Sequence, residues 1–223
     1  MCLLALAWRT DARWPLALIG NRDELHARPS LAAVTNVRSL ADMGVKRESR
    51  GDLTRRFLTG ELGIEALQRL DVAAFNPFNL IVADQGDAWF MTNRPSQEAR
   101  RLSPGVHGLS NGPIDQVWPK TAMAKLALAD WLATGVADVE WLFAALADET
   151  RPADADLPDT GLGLERERQL SAAFLRGPIY GTRCSTVVLV GANGAGHLIE
   201  RRFGPEGAPL GETALAFAWP AMC

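Results

Sequence analysis

Cysteine stands at position 2, in MCLLALAWRT, and the polar run Asn21, Arg22, Asp23, Glu24 follows directly on the apolar stretch LALIG. A chain end frays, and an exposed thiol there is a liability unless it is used. Removal of Met1, which a small second residue permits, gives Cys2 a free α-amino group. One residue then carries both a nucleophile and a base of pKa ~7.7–8.0, so no histidine is needed to activate the sulfur. An arginine beside a thiol stabilises the thiolate, and a carboxylate beside an α-amine holds and orients it. Arg22 and Asp23 are candidates for those tasks if the chain brings residue 22 back beside residue 2. The bland alternative is a solvated strand end.

The elements that must do this are readable from periodicity. Residues 2–8 and 16–20 form two apolar runs joined by the polar turn 9–13, a hairpin that returns NRDE to the level of Cys2. A third short apolar run covers 31–35. The spacing predicts helices at 52–58 and 64–70, then a hairpin of 78–83 and 88–92 that turns at 84–87. The strongest helical patterns lie at 118–133 and 139–146, the second placing Val139, Leu142, Phe143 and Leu146 on one face. RPADADLPDT, at 151–160, is a Pro/Asp loop. Runs at 184–190 and 197–203 form a hairpin, and 213–219 a final strand. Strands in hairpins with helices in blocks between them specify an α+β chain with antiparallel sheets. With no repeat, low-complexity tract or linker in sight, a single domain over 1–223 is expected.

Composition narrows the function classes. The chain has 223 residues, 48% of them hydrophobic and 22% charged, with a net charge of −3. That is an ordinary globular composition without the basic excess of a nucleic-acid binder. Three cysteines, at 2, 184 and 223, make no disulfide framework and suit a reducing compartment. LLALAW lacks the basic region and cleavage site of a signal peptide, and no run reaches the ~18–20 apolar residues of a membrane span. A cytoplasmic protein is expected.

Other motifs favour structural readings. GANGAG (191–196) precedes a strand, not a helix, so it is a hairpin turn and not a phosphate loop. The basic stretch around 45–57 is broken by acids and reads as a solvated face. His26, His107 and His197 have no metal-ligand spacing. Cys184 sits in a β-rich run, where a buried, inert thiol is the default. Cys223 is incidental.

Several segments together resemble one family. The start MC, then GNRDELHARPS (20–30), AAVTN (32–36), SRG (49–51), FNLIVAD (78–84), HGLSNGP (107–113), LPDTG (157–161) and YGTRCSTVVLV (180–190) are similar to the NRDE family, that of the transport and Golgi organisation protein 2. The resemblance runs over nearly the whole chain. Members look like N-terminal-nucleophile (Ntn) hydrolases of the choloylglycine hydrolase and penicillin V acylase type, which implies a four-layer αββα sandwich of two antiparallel sheets. It also implies Cys2 as nucleophile with Arg22 and Asp23 beside it. Asn36 takes the oxyanion-hole position, Asn111 that of a second active-site asparagine, and Arg183 that of a second cation. The implied reaction is hydrolysis of a linear C–N bond in a small, acyl-bearing amide, with no cofactor. The family's links to haem movement and to acyl-CoA and lipid metabolism imply an alternative, a non-catalytic carrier of haem or acyl chains.

One junction departs from the family pattern. Between RPS, ending at Ser30, and LAAVTN, starting at Leu31, the resemblance implies a few dozen further residues, including a Gly-Gly-Thr-Trp strand. No Asn/Gly turn marks the join. The expectation is that Ser30 and Leu31 are not covalent neighbours; a true junction there would favour the carrier reading or a structural relic with a dead site.

Overall fold

The computed structural model describes residues 2–25, 34–38, 46–84 and 86–219. The Ser30–Leu31 junction, His26 and Cys223 lie outside the described residues. The chain divides into two compact units, one of residues 1–28 with 104–223 and one of residues 29–103.

The larger unit is built on a six-stranded antiparallel sheet in the order β10-β9-β8-β2-β1-β7. Its strands are β1 (Cys2–Trp8), β2 (Leu16–Leu25), β7 (Gly105–Leu109), β8 (Tyr180–Val190), β9 (Ala195–Phe203) and β10 (Pro209–Ala218). The expected first hairpin is present, with Trp8 opposite Leu16 and Cys2 opposite Arg22. GANGAG closes the β8–β9 hairpin, with Gly194 at φ 78° and Asn193 Oδ1 accepting from the Ala195 N–H at 3.0 Å. Glycine takes that left-handed conformation at no steric cost, which is what a tight hairpin turn needs.

Strand residues alternate between faces. Leu3, Ala5, Ala7, Ala17, Ile19, Val187 and Leu189 all project to one side. There they pack on Ala124, Leu128, Trp131 and Leu132 of α3 (Pro119–Thr134) and on Leu142, Phe143 and Leu146 of α4 (Glu140–Leu146). α3 opens on Pro119, whose fixed φ suits the first helical position, and stops at Gly135 in the left-handed region at φ 73°. It crosses close over β7. A Cβ added at Gly108 would overlap Thr121 Cγ2 and the Lys125 side chain, so glycine is what lets the helix approach the strand.

The smaller unit has a four-stranded antiparallel sheet, β3-β4-β5-β6, formed by Val34–Asn36, Phe78–Ala83, Ala88–Thr92 and Glu98–Arg101. Helices α1 (Arg50–Leu58) and α2 (Ile64–Leu67) cover one side, where Leu53, Leu62 and Leu67 meet Phe78, Leu80, Val82 and Met91. The SRG segment caps α1, because Ser49 Oγ accepts from the Gly51 N–H at 3.3 Å. The basic stretch is occupied by ion pairs, Arg47 with Asp71, Arg55 with Glu61 and Arg56 with Glu48. It is the charged face that the sequence implied.

Both sheets are antiparallel and each carries helices, so the α+β class is as the patterning specified. Among the strands and α-helices of the described residues, three went unread. β6 is EARR, mostly exposed and without alternating apolar residues; β7 is short and contains two glycines. The third is α5 (Leu164–Gln169), LERERQ, which lacks an apolar stripe.

Candidate active site around Cys2

Two strands and the segment after β7 place the groups around Cys2. Cys2, half-buried, stands directly opposite Arg22 on β2, and Arg22 stands opposite Cys184 on β8. Directly opposed residues share a face of the sheet, so thiol, guanidinium and second thiol form a row across three strands. On the other flank, β1 pairs with β7 with Leu4 opposite Leu109. Extending that register by two residues brings Asn111 level with Cys2. Asn111 Oδ1 accepts from the Cys2 N–H at 3.4 Å, and Ser110 Oγ donates to the Cys2 carbonyl at 2.9 Å. Asn111 and Ser110 are both buried.

Strand alternation splits the NRDE motif. Arg22 faces the Cys2 side, so Asn21 must face the helices. It is 3% exposed, and its amide donates to the carbonyls of Leu146 at 2.6 Å and Ala173 at 2.8 Å. Its Oδ1 accepts from Ser185 Oγ at 2.6 Å. Asn21 thus ties β2 to the end of α4, a structural role that treating NRDE as one motif did not reveal. Asp23 follows Arg22 across a β-bulge and stands opposite Thr182. Arg183 lies at that bulge, between Thr182 and Cys184, where the register shifts. Such irregularities re-aim side chains beside sites. Asn36 ends β3 in the smaller unit, opposite Phe78. The larger unit therefore brings together Cys2, Arg22 and Asn111, with Asp23 and Arg183 next along their strands, and Asn36 belongs to the other unit.

Two contacts were missed by sequence reasoning. Ser110 was visible inside HGLSN but had no assigned task. Thr182 of YGTR is fully buried, and its hydroxyl accepts from the Leu175 N–H at 2.9 Å, so half of that motif serves packing. Among the described residues no cluster of His, Cys, Asp and Glu could hold a metal ion, and no helix is long and apolar enough to cross a membrane. A concavity of about 1030 Å³ in the smaller unit, lined by Arg56, Ile64, Arg69, Asp84 and Trp89 among others, contains none of the sequence-predicted residues.

Cys184 is the foil to Cys2. It is 6% exposed, and its thiol is pushed up from the ordinary value of 9.0 to about 12, first by burial and then by the nearby Glu200 carboxylate, with Arg22 partly opposing. At pH 8 only ~10⁻⁴ of such a thiol is thiolate, the reactive form. Iodoacetamide in native buffer is therefore expected to modify Cys2 at least ~100-fold faster than Cys184, read by peptide mapping; equal rates would contradict the burial of Cys184. The same shift has a stability consequence. The folded state favours the protonated thiol, so its contribution is full below pH 9.0 and is lost as pH rises through about 12.

Comparison with known proteins identifies the family of the chain. The profile of the family "Transport and Golgi organisation 2" matches residues 1–34 and 30–205, two stretches that meet around the Ser30–Leu31 junction. The "Transport and Golgi organization protein 2 homolog" of Bos taurus is 32% identical over 197 residues, covering 79% of this chain and 70% of that protein. The Homo sapiens homologue is 31% identical and the Mus musculus homologue 30% identical, each over 193 residues with the same coverage of both chains. From the opening MC through the β8 motif, the chain belongs to the Transport and Golgi organisation 2 family.

Proposed function

We propose that the protein is an Ntn-type cysteine amidohydrolase acting on a linear amide of a small, acyl-bearing substrate. The observation that carries this reading is the contact of the residue-2 nitrogen with Asn111 Oδ1, with Arg22 opposite on the neighbouring strand. Once Met1 is removed, that nitrogen becomes an amine with a lone pair. Asn111 Oδ1 accepts one N–H and limits rotation of the group, which leaves the lone pair available to the residue's own sulfur. Arg22 supplies positive charge on the same face of the sheet, which favours a thiolate.

The thiol attacks the amide carbonyl while the α-amine takes its proton. The resulting ammonium returns that proton to the leaving nitrogen as the C–N bond breaks, giving a thioester and a free amine. Water, deprotonated by the same amine, then hydrolyses the thioester to a carboxylic acid, and the ammonium returns its proton to the departing sulfur, which regenerates the Cys2 thiol and free amine. All protons are accounted for without a cofactor. Family resemblance assigns the oxyanion donor to Asn36, and removing such a donor typically costs ~10²–10³ in rate.

The test is hydrolysis of a short-chain acyl p-nitroanilide by the Met1-free protein. Activity is expected there, reduced on the order of 10²–10³-fold by Asn36→Ala, and absent from chains that retain Met1. Full activity with Met1 attached would overturn the mechanism. If Asn36→Ala left the rate unchanged, the oxyanion assignment would be wrong. Intact amide, together with a visible-absorbance shift on adding haem, would instead identify a carrier.

A further inference from the structure

We propose that Asp115 is a positioning residue for the Cys2 nitrogen, acting through the segment that carries Ser110 and Asn111. This rests on the reading of Cys2 as an N-terminal nucleophile. That segment, residues 109–116, runs between the end of β7 and α3. Its Asn111 and Ser110 reach the two ends of residue 2, the nitrogen and the carbonyl. A connection of this kind is ordinarily the most mobile part of a fold, so something must fix its path if a 3.4 Å contact is to set the geometry of a base.

Asp115 closes the segment on itself. Its Oδ1 accepts from the Gly108 N–H at 2.9 Å and from Lys125 Nζ at 3.0 Å, and its Oδ2 meets His107 Nδ1 at 2.9 Å. Its own N–H donates to the Gly108 carbonyl at 2.8 Å. One residue thus joins the strand before the segment, the end of the segment and the second turn of α3. Burial opposes the charge, yet the bonds from His107, the Gly108 N–H and Lys125 outweigh it and hold the carboxyl below its ordinary value. Asp115 also adopts φ 60°, in the left-handed region that costs a side-chain-bearing residue energy. A residue held there by four contacts marks a backbone path that the surroundings over-determine.

A positioning role and a merely structural one differ in their coupling to Asn111. The experiment uses the Met1-free chain and two readings, the side-chain amide NMR resonances of Asn111 and the pH profile of iodoacetamide reaction at Cys2. Asp115→Asn keeps the shape of the side chain and loses its charge. It is expected to move the Asn111 resonances, shift the midpoint of the profile and slow labelling by about tenfold, a loss typical of one well-placed hydrogen bond. Asn111→Ala should give a similar change in the profile, and the double variant should be no slower than Asn111→Ala alone. Unmoved Asn111 resonances, or single effects that multiply in the double variant, would overturn the proposal. Moved resonances with an unaltered profile in both single variants would leave the clasp on Asn111 standing and defeat the nucleophile reading instead. Should Asp115→Asn fail to fold, Lys125→Met removes one of the four contacts and gives the same readings with smaller changes. Glu149→Gln, which weakens the exposed pair with Arg176, should alter neither.

Discussion

Cys2→Ala is expected to abolish amide hydrolysis and covalent labelling at residue 2 while leaving the fold intact. Its sulfur is half-buried at the end of β1, so truncation opens no large cavity and should cost little stability. The chemistry, in contrast, loses its attacking atom. Neither Arg22 nor Asn111 can replace it, because one is a cation and the other a neutral amide. Removing a nucleophile that works as a unit with its base typically lowers kcat by ~10⁴–10⁶-fold. Cys2→Ser is the sharper probe, since a hydroxyl occupies the same place but is far less ionised at neutral pH than a thiol. It should retain a small residual rate where alanine has none. Turnover of the acyl anilide by Cys2→Ala at an appreciable fraction of the original rate would move the reaction away from residue 2 altogether.

Asn21→Ala is expected to have the largest effect on stability, on the order of 3–5 kcal/mol. Three partners lose their bonds at once, the Leu146 and Ala173 carbonyls and the Ser185 hydroxyl. Leu146 is the last residue of α4, and a carbonyl at a helix end has no partner within the helix. Each buried polar group left without a bond costs ~1–3 kcal/mol. For a chain of this length that corresponds to a fall in Tm of roughly 10 °C, measured by calorimetry or by circular dichroism. Asn21→Asp would be no remedy, because a carboxylate would face two carbonyl oxygens. A Tm within a degree or two of the original would show that β2 is not tied to the helices through this residue.

The sequence was most legible where short apolar runs lie between turns or where composition favours one element. The first hairpin and the strands at 78–83 and 88–92 follow from continuous apolar runs that the sheets bury, and the helix at 119–134 from its wealth of Ala, Leu and Lys. Segments held by other means were not legible. β6 is an exposed edge strand of EARR, and α5 presents a chain of charges with Glu167 turned inward to accept from Thr160. At the site, the approach of Arg22 to Cys2 could be read, because hairpin register follows from two strands of known length. The opposite duty of Asn21 was equally implied by strand alternation, but only once Arg22 had been assigned a face. Asn111 entered by family resemblance alone. Its contact with the residue-2 nitrogen, 109 positions away in the chain, depends on the pairing of β1 with β7, a distance over which no local pattern operates. The clasp at Asp115 combines that pairing with a left-handed backbone, so it too was invisible in the sequence.

Intact-mass spectrometry of a Cys223→Ser chain, before and after a cysteine-directed acylating agent, decides whether Cys2 is an N-terminal nucleophile. The expected result is a mass lower by one methionine residue, then a single acyl adduct that maps to Cys2 and spares Cys184. A retained Met1 with an unmodified Cys2, or an adduct found on Cys184 instead, would contradict it.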